Sequence, residues 1–252
     1  MSTNIFLQAR VNSSRFPKKV LKEICGKSVF ELIIDRMKLV RDINKIILVT
    51  GPPQLNTELV NIAKKQNIEY FCGSEENILD RLYQASKKYF SDNIIRITWD
   101  NPLLDYDIIN KNLEFFLCEK FDLLYIDETS FPKGMNFEII LQSALEETWQ
   151  SYFRKFSNKD DFDKTFHSPG TCFLENSNLK KMAISTNNIY PNLRLTMDHV
   201  EDFQLIKNIY EEIYPKKPNF RLDDILELLS KKPELAKINE IHQHQSMDNN
   251  IS

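Results

Sequence analysis

Between residues 4 and 126, short apolar runs alternate with segments whose apolar residues recur every three or four positions. That alternation leaves few folds open, because parallel strands must be joined by crossover segments, usually helices. The spacing predicts a strand over 4–9 and a helix opening at Ser28. There Ser28-Val29-Phe30-Glu31 has the form of a capping box, and Phe30, Ile33, Ile34, Met37 and Val40 share one face. Lys45 to Thr50 reads as a buried strand stopped by Gly51-Pro52-Pro53. A helix over about 55–66, a strand over 68–72, a helix over 76–90, a strand from Asn93 to Thr98, a helix over 106–119 and a strand over 122–126 complete a regular α/β half.

The remainder is less periodic. It predicts a strand over 136–141, a helix over 142–156, a loop from Asn158 to Lys164, strands over 171–174 and 193–197, and helices over 200–213 and 222–230. A chain of 252 residues suits one large domain. We expect that domain over 1–238, with about 130–190 as a protruding subdomain or dimer arm and 239–252 as a polar tail. The net charge of −3 does not favour a nucleic-acid partner. Cys25, Cys72, Cys118 and Cys172 form no C-x-x-C, which suggests reduced, mostly buried thiols in a cytoplasmic protein. No stretch of about 18 apolar residues is present to span a membrane, and the first residues lack the form of a signal peptide.

The loop after the first strand, Gln8-Ala9-Arg10-Val11-Asn12-Ser13-Ser14-Arg15-Phe16-Pro17-Lys18-Lys19, combines four cations with two serine hydroxyls. Such a loop suits a polyphosphate, since N–H and O–H groups donate to phosphate oxygens and cations neutralise them. It is neither a P-loop nor a Gly-x-Gly fingerprint. A merely solvated basic face is the competing reading. Two later segments repeat one pattern, Arg96-Ile97-Thr98-Trp99-Asp100 and Arg194-Leu195-Thr196-Met197-Asp198. On strands, Arg, Thr and Asp would share a face, and each Asp would fall at a carboxyl end, where open α/β sheets bind ligands. Adjacent strands would let Asp100 and Asp198 share one Mg²⁺, which favours one or two carboxylates plus substrate phosphates. The alternatives are local: Asp100 as a turn residue, and Asp198 as a helix cap with Glu201 completing a box.

On these residues the chain resembles the cytidylyltransferases that activate acidic sugars. It is most like the spore-coat polysaccharide type and more distantly similar to CMP-Kdo and CMP-sialate synthetases. The likeness rests on Gln8-Ala9-Arg10 with Ser13, Arg15, Pro17, Lys19 and Leu21, on Gly26-Lys27, and on Gly73-Ser74-Glu75-Glu76-Asn77-Ile78-Leu79-Asp80-Arg81. The two Arg-x-Thr-x-Asp segments, Pro132-x-Gly134 and Glu138 complete it. The resemblance implies a Rossmann-like three-layer sandwich with a mixed, mostly parallel sheet of the nucleotide-diphospho-sugar transferase type, and a homodimer. It implies transfer of CMP from CTP to an acidic sugar or sugar phosphate, with release of pyrophosphate. By the same resemblance, Gln8, Ala9, Arg10, Asn12, Ser13, Arg15, Lys19, Gly73, Ser74, Asp80 and Arg81 bind nucleotide. Arg10, Lys19, Asp100 and Asp198 carry catalysis, and the two Asp residues hold Mg²⁺. Arg96, Lys133, Glu138 and Arg194 are acceptor contacts, with internal pairing to a carboxylate as the alternative for Arg96. The chain departs from the family at Asn12, Trp99, Asn136 and Thr165-Phe166, with His167 displaced by one. Strand alternation turns the Trp99 ring away from the metal. Two other functions compete: a glycosyltransferase using Asp105-Tyr106-Asp107, and a nucleotide-binding homologue without catalysis.

Overall fold

The computed structural model describes residues 1–11, 16, 18–165, 168–187, 190 and 193–242. Strand β1 (Thr3–Gln8) leads into the basic loop and a 3-10 turn over Lys19–Leu21. A two-stranded hairpin, β2 (Glu23–Ile24) and β3 (Lys27–Ser28), then delivers the chain to α1 (Val29–Met37). The capping box forms: the Glu31 amide donates to Ser28 Oγ at 3.2 Å, and the Ser28 amide donates to Glu31 Oε2 at 2.9 Å. Next come β4 (Lys45–Thr50), α2 (Thr57–Lys65), β5 (Glu69–Cys72), α3 (Ile78–Lys88), β6 (Asn93–Thr98), α4 (Tyr106–Cys118) and β7 (Leu123–Ile126). Each of these elements matches the sequence pattern to within a few residues.

The second half holds β8 (Glu138–Leu141), α5 (Gln142–Phe153), α6 (Lys159–Lys164), α7 (Pro169–Glu175), β9 (Lys181–Ile184), α8 (Val200–Ile213), α9 (Leu222–Lys231) and α10 (Pro233–Ala236), then a 3-10 turn over Glu240–His242. The seven-stranded sheet runs β5-β4-β1-β6-β8-β7-β9. Only β8 is antiparallel to its neighbours. Strand alternation splits the core in two. Ile5, Leu7, Ile95 and Ile97 face one layer with α1, α4 and α8, whereas Phe6, Val49 and Ile94 face the other with α3 and α5. The result is the expected three-layer α/β sandwich. No helix among the described residues is long and apolar enough to cross a membrane.

Several expectations are corrected. The charged stretch from Asn158 is a helix, not a loop: Asn158 Oδ1 accepts the Asp161 amide at 2.9 Å, and Asp160 and Asp161 lie in the positive first turn. Its one large apolar residue, Phe162, docks edge-on against Trp149 and Phe153 at centroid distances of 5.8 and 5.4 Å. The strand read over 171–174 is helix α7, begun by Pro169 at its first turn. Strand β9 was not foreseen; its residues are half-buried or exposed, so it lacks the apolar run of the central strands. No strand forms over 193–197, where one parallel bridge joins Arg194 to Lys133. The 130–190 segment supplies β8 and β9 to the main sheet rather than only protruding from it. Asn239 and His242, expected in the tail, are buried in the folded body. Only Cys172 of the four cysteines is buried; Cys25 and Cys118 are exposed.

Candidate active site

The carboxyl ends of β1, β4 and β6 lie side by side, and the loop after β1 leaves from the middle of them. Ala9 is buried, its amide reaching Val49 O at 3.4 Å, and the Val11 amide is anchored on Asn56 Oδ1 at 3.0 Å. Arg10 is exposed at this edge. Asn12, Ser13 and Arg15 lie outside the described residues. The 3-10 turn then carries Lys19 inward, where it is 4% exposed. Its ammonium donates to Met197 O at 2.5 Å and Asp198 Oδ1 at 3.1 Å, and lies 4.7 Å over the Trp99 ring. Trp99 takes the Ile95–Ile97 face, as alternation requires, so it touches the site through Lys19.

Asp100 and Asp198 meet without a second strand. The Met197 amide and the Thr196 hydroxyl both donate to Asp100 O, at 2.7 and 3.1 Å, stitching the two segments together. Burial pushes the Asp100 carboxyl up, and the nearby Asp198 charge pushes it further, against the pull of Thr98 and Lys19. Asp100 Oδ1 is buried with no hydrogen-bond partner among the described residues. Asp198 is held by cations on both oxygens: Lys19 on Oδ1, and Arg194 Nη2 on Oδ2 at 2.8 Å.

Arg194 is in turn fixed by a residue that the sequence reading did not single out. Fully buried Asp202 accepts Arg194 Nε at 2.8 Å and Nη2 at 3.0 Å, and also the amides of Asp198 and His199, both at 2.9 Å. Asn239 Nδ2 donates to Asp202 Oδ1 at 2.8 Å and to Arg194 O at 3.0 Å. Arg194, expected to contact an acceptor, is thus enclosed by Asp198 and Asp202, and, fixed by Asp202, it orients Asp198. The helix box closes one residue later than expected, with His199 as cap and Asp202 as partner instead of Asp198 and Glu201. The signal available in the sequence was Asp198-x-x-x-Asp202, one helical turn apart.

Gly134 makes this arrangement possible. Its φ is +108°, and a Cβ there would stand 2.6 Å from Leu195 C and 2.7 Å from Thr196 N. The backbone at 133–135 therefore lies directly on the segment carrying Asp198, through Leu195 N to Lys133 O at 2.7 Å. Gly134→Ala should cost about 1–3 kcal/mol, the usual range for such backbone strain, read as a lowered urea midpoint. An unchanged midpoint would show that the two segments have room to part. Lys133 itself is half-buried; burial and Arg194 push its ammonium down, while Asp198 and Glu128 pull it up.

The other expected nucleotide residues act as a frame. Gly73 packs on Arg81, whose Nη1 donates to Ser74 O at 2.6 Å. Arg81 is 1% exposed and makes no ion pair among the described residues; burial lowers it to about 10, with Arg10 and Arg96 adding repulsion against Glu75. It stays charged at neutral pH, with the Glu75 carboxylate offsetting part of the repulsion from Arg10 and Arg96. Asp80 is buried and accepts Trp149 Nε1 at 2.8 Å. Arg96 adopts the internal pairing: Nε donates to Gln8 Oε1 at 3.0 Å and Nη1 to Glu138 Oε1 at 2.6 Å. Asp105 caps α4 through the Asp107 amide at 2.8 Å, and Asp107 pairs with Lys111 and Arg221, which occupies the Asp-x-Asp pair structurally.

Comparison with known proteins agrees with this architecture. The family model described as "Cytidylyltransferase" matches residues 5–243. The chain is 30% identical over 236 residues to the uncharacterized protein MJ1063 of Methanocaldococcus jannaschii, covering 92% of each. It is 24% identical over 238 residues to the spore coat polysaccharide biosynthesis protein SpsF of Bacillus subtilis, covering 91% of this chain and 95% of that one. A 3-deoxy-manno-octulosonate cytidylyltransferase of Christiangramia forsetii matches more distantly, 25% over 161 residues, with coverage of 62% and 59%. The solved structure of a cytidylyltransferase from Leptospira borgpetersenii superposes with a TM-score of 0.82 at 24% identity, covering 94% of this chain and 97% of that one. The chain belongs to the cytidylyltransferase family and is a nucleotidyltransferase.

Proposed function

We propose that the protein transfers CMP from CTP to an acidic sugar or sugar phosphate and releases pyrophosphate, as a homodimer in the cytoplasm. One observation carries the reading: buried Asp100 Oδ1, without a hydrogen-bond partner among the described residues, stands beside a second carboxylate, Asp198, on the loop edge of the sheet. Two like charges so placed, with Lys19 and Arg194 both turned to Asp198, suit a divalent cation. Among the described residues no cluster of three or more His, Cys, Asp or Glu stands ready as a protein-only cage. Mg²⁺ fits such a pair, since substrate phosphates supply its remaining ligands. Held by Asp100 and Asp198, it would neutralise phosphate charge and make the α-phosphorus more electrophilic.

The chain's own groups do the rest. Exposed Arg10, with Arg15, Asn12 and Ser13 of the same loop, receives the triphosphate, and the buried Arg81 guanidinium adds positive charge behind it. Lys19 exchanges its contact with Asp198 for a phosphate oxygen. The frame of Gly73, Ser74, Asp80 and Arg81 borders the nucleoside. Lys133, which makes no ion pair among the described residues, meets the acceptor's anionic group. In-line attack by an acceptor oxygen forms the new P–O bond as the bond to pyrophosphate breaks; a sugar phosphate attacks as its anion, and a hydroxyl acceptor gives its proton to solvent or to the departing pyrophosphate.

The test is pyrophosphate release with CTP, Mg²⁺ and a panel of 3-deoxy-manno-octulosonate, sialate and sugar 1-phosphates. Release is expected with CTP and not with ATP or GTP, and chelation with EDTA should stop it. CTP binding without release for any acceptor would replace this reading with that of a non-catalytic nucleotide binder.

A further inference from the structure

A cavity of about 530 Å³ opens at the carboxyl ends of β6 and β7, between the start of β8 and helix α7. Its wall is apolar, with Tyr125, Phe137 and Phe173, and its polar groups are uneven. Arg96, 8% exposed, lines it. Two of the guanidinium nitrogens are spent on Gln8 and Glu138, and Nη2 has no bond among the described residues. Gly170 keeps this pair reachable, since a Cβ there would stand 3.3 Å from Glu138 Oε1 and 3.9 Å from Arg96 Nη1.

Glu138 and Arg96 neutralise each other, but the lining also holds Asp127 and Glu128. Neither makes an ion pair among the described residues. Asp127 Oδ1 accepts the amide and hydroxyl of Thr129 at 3.0 and 2.7 Å, which hold its carboxyl below the ordinary range and keep it ionised at neutral pH. Glu128 is exposed and accepts from Asn136 Nδ2. Among the described residues that line the cavity no second cation faces Asp127 or Glu128, and Lys133, outside the lining, is the cation that interacts with Glu128. An acceptor that laid an anionic group against Asp127 would meet repulsion there, whereas an ammonium would not.

We propose that this cavity binds an acceptor bearing a free, protonated amino group, held by Asp127 and Glu128, while Arg96 Nη2 donates to an oxygen of the same molecule. The acceptor class is an amino-sugar acid or amino-sugar phosphate with its amine unacylated. This rests on the cytidylyl-transfer reading above. An ammonium between two carboxylates gains charge-assisted hydrogen bonds that an amide or hydroxyl gains only in part.

The experiment adds matched pairs to the acceptor panel: muramic acid with N-acetylmuramic acid, and glucosamine 1-phosphate with its N-acetyl form. The wild-type protein should favour the free amine by roughly tenfold or more in kcat/KM, the size expected of one charge-assisted hydrogen bond. In the double variant Asp127→Asn, Glu128→Gln that preference should collapse towards unity, with the urea midpoint unchanged. Equal or better turnover of the acetylated members would overturn the inference and leave cytidylyl transfer standing. So would a preference that survives in the double variant. Bound CTP with no release from any acceptor would remove the transfer reading, and the inference with it.

Discussion

Asp100→Asn should abolish turnover and leave the protein as stable as before, or more so. Asp100 is a buried carboxylate beside a second one, so burial and Asp198 both penalise its charge. Asparagine keeps the shape and removes that penalty. It also removes half of the carboxylate pair, and a divalent ion at a phosphoryl centre contributes several kcal/mol, so kcat should fall by about 10³-fold or more. The sign of the stability change is set by pH. A carboxyl raised in the folded state stabilises the fold fully below its unfolded value of 3.8 and loses that contribution as pH rises through the folded value. Wild type and variant should therefore unfold at the same urea concentration below pH 3.8, and the variant should pull ahead towards neutrality. The measurement is made in EDTA, paired with pyrophosphate release in Mg²⁺. A variant that loses stability at pH 7, or keeps near-normal release, would remove Asp100 from the cation site.

Asp202→Asn should do the opposite: it unfolds the protein first and silences it as a consequence. Burial pushes the Asp202 carboxyl up, yet hydrogen bonds from Arg194, Asn239 and the Asp198 amide hold it below the ordinary range. Asparagine offers one acceptor oxygen in place of two and leaves Arg194 with less neutralising charge. Breaking a buried pair in this way costs about 3–5 kcal/mol, a large part of the stability of an ordinary domain. Here the stabilisation is present above the unfolded value of 3.8 and is lost as pH falls through the folded value. The gap between wild type and variant should be widest near neutrality and narrow in acid. A loss below 1 kcal/mol at pH 7 would mean that Asn239 and water make good what the carboxylate supplied.

The regular half of the fold was legible because period alone specifies it. Strands such as β4 and β6 are continuous apolar runs, and Ser28-x-x-Glu31 marks its helix by chemistry that needs nothing distant. The second half was less so, because its elements are set by partners far along the chain. Phe162 makes α6 worth forming only once Trp149 and Phe153 stand opposite, and β9 exists only because β7 offers an edge. For the site, the repeated Arg-x-Thr-x-Asp located both carboxylates, but the repetition misled about geometry. Arg96 spans β1 and β8, whereas Arg194 turns back on its own chain to Asp198 and Asp202. Identical spacing gave different surroundings because one copy lies in a ladder and the other rests on the bare backbone at Gly134. Asp202 and Asn239 were hidden for a related reason: an acid in a first helical turn and an asparagine near a polar tail look ordinary until Arg194 is placed between them.

Asn239 also sets an order of events during synthesis. The ribosome adds roughly 5–20 residues per second, and nearly the whole described chain emerges before this amide does. Until then Asp202 lacks one of its donors, and the Arg194 carbonyl lacks its cap. The strand–helix half can condense early, whereas the carboxylate loop takes its final shape only when the last turns dock. A nascent chain halted short of residue 239 would keep the central strands but lack the brace that Asn239 places between Asp202 and the Arg194 carbonyl.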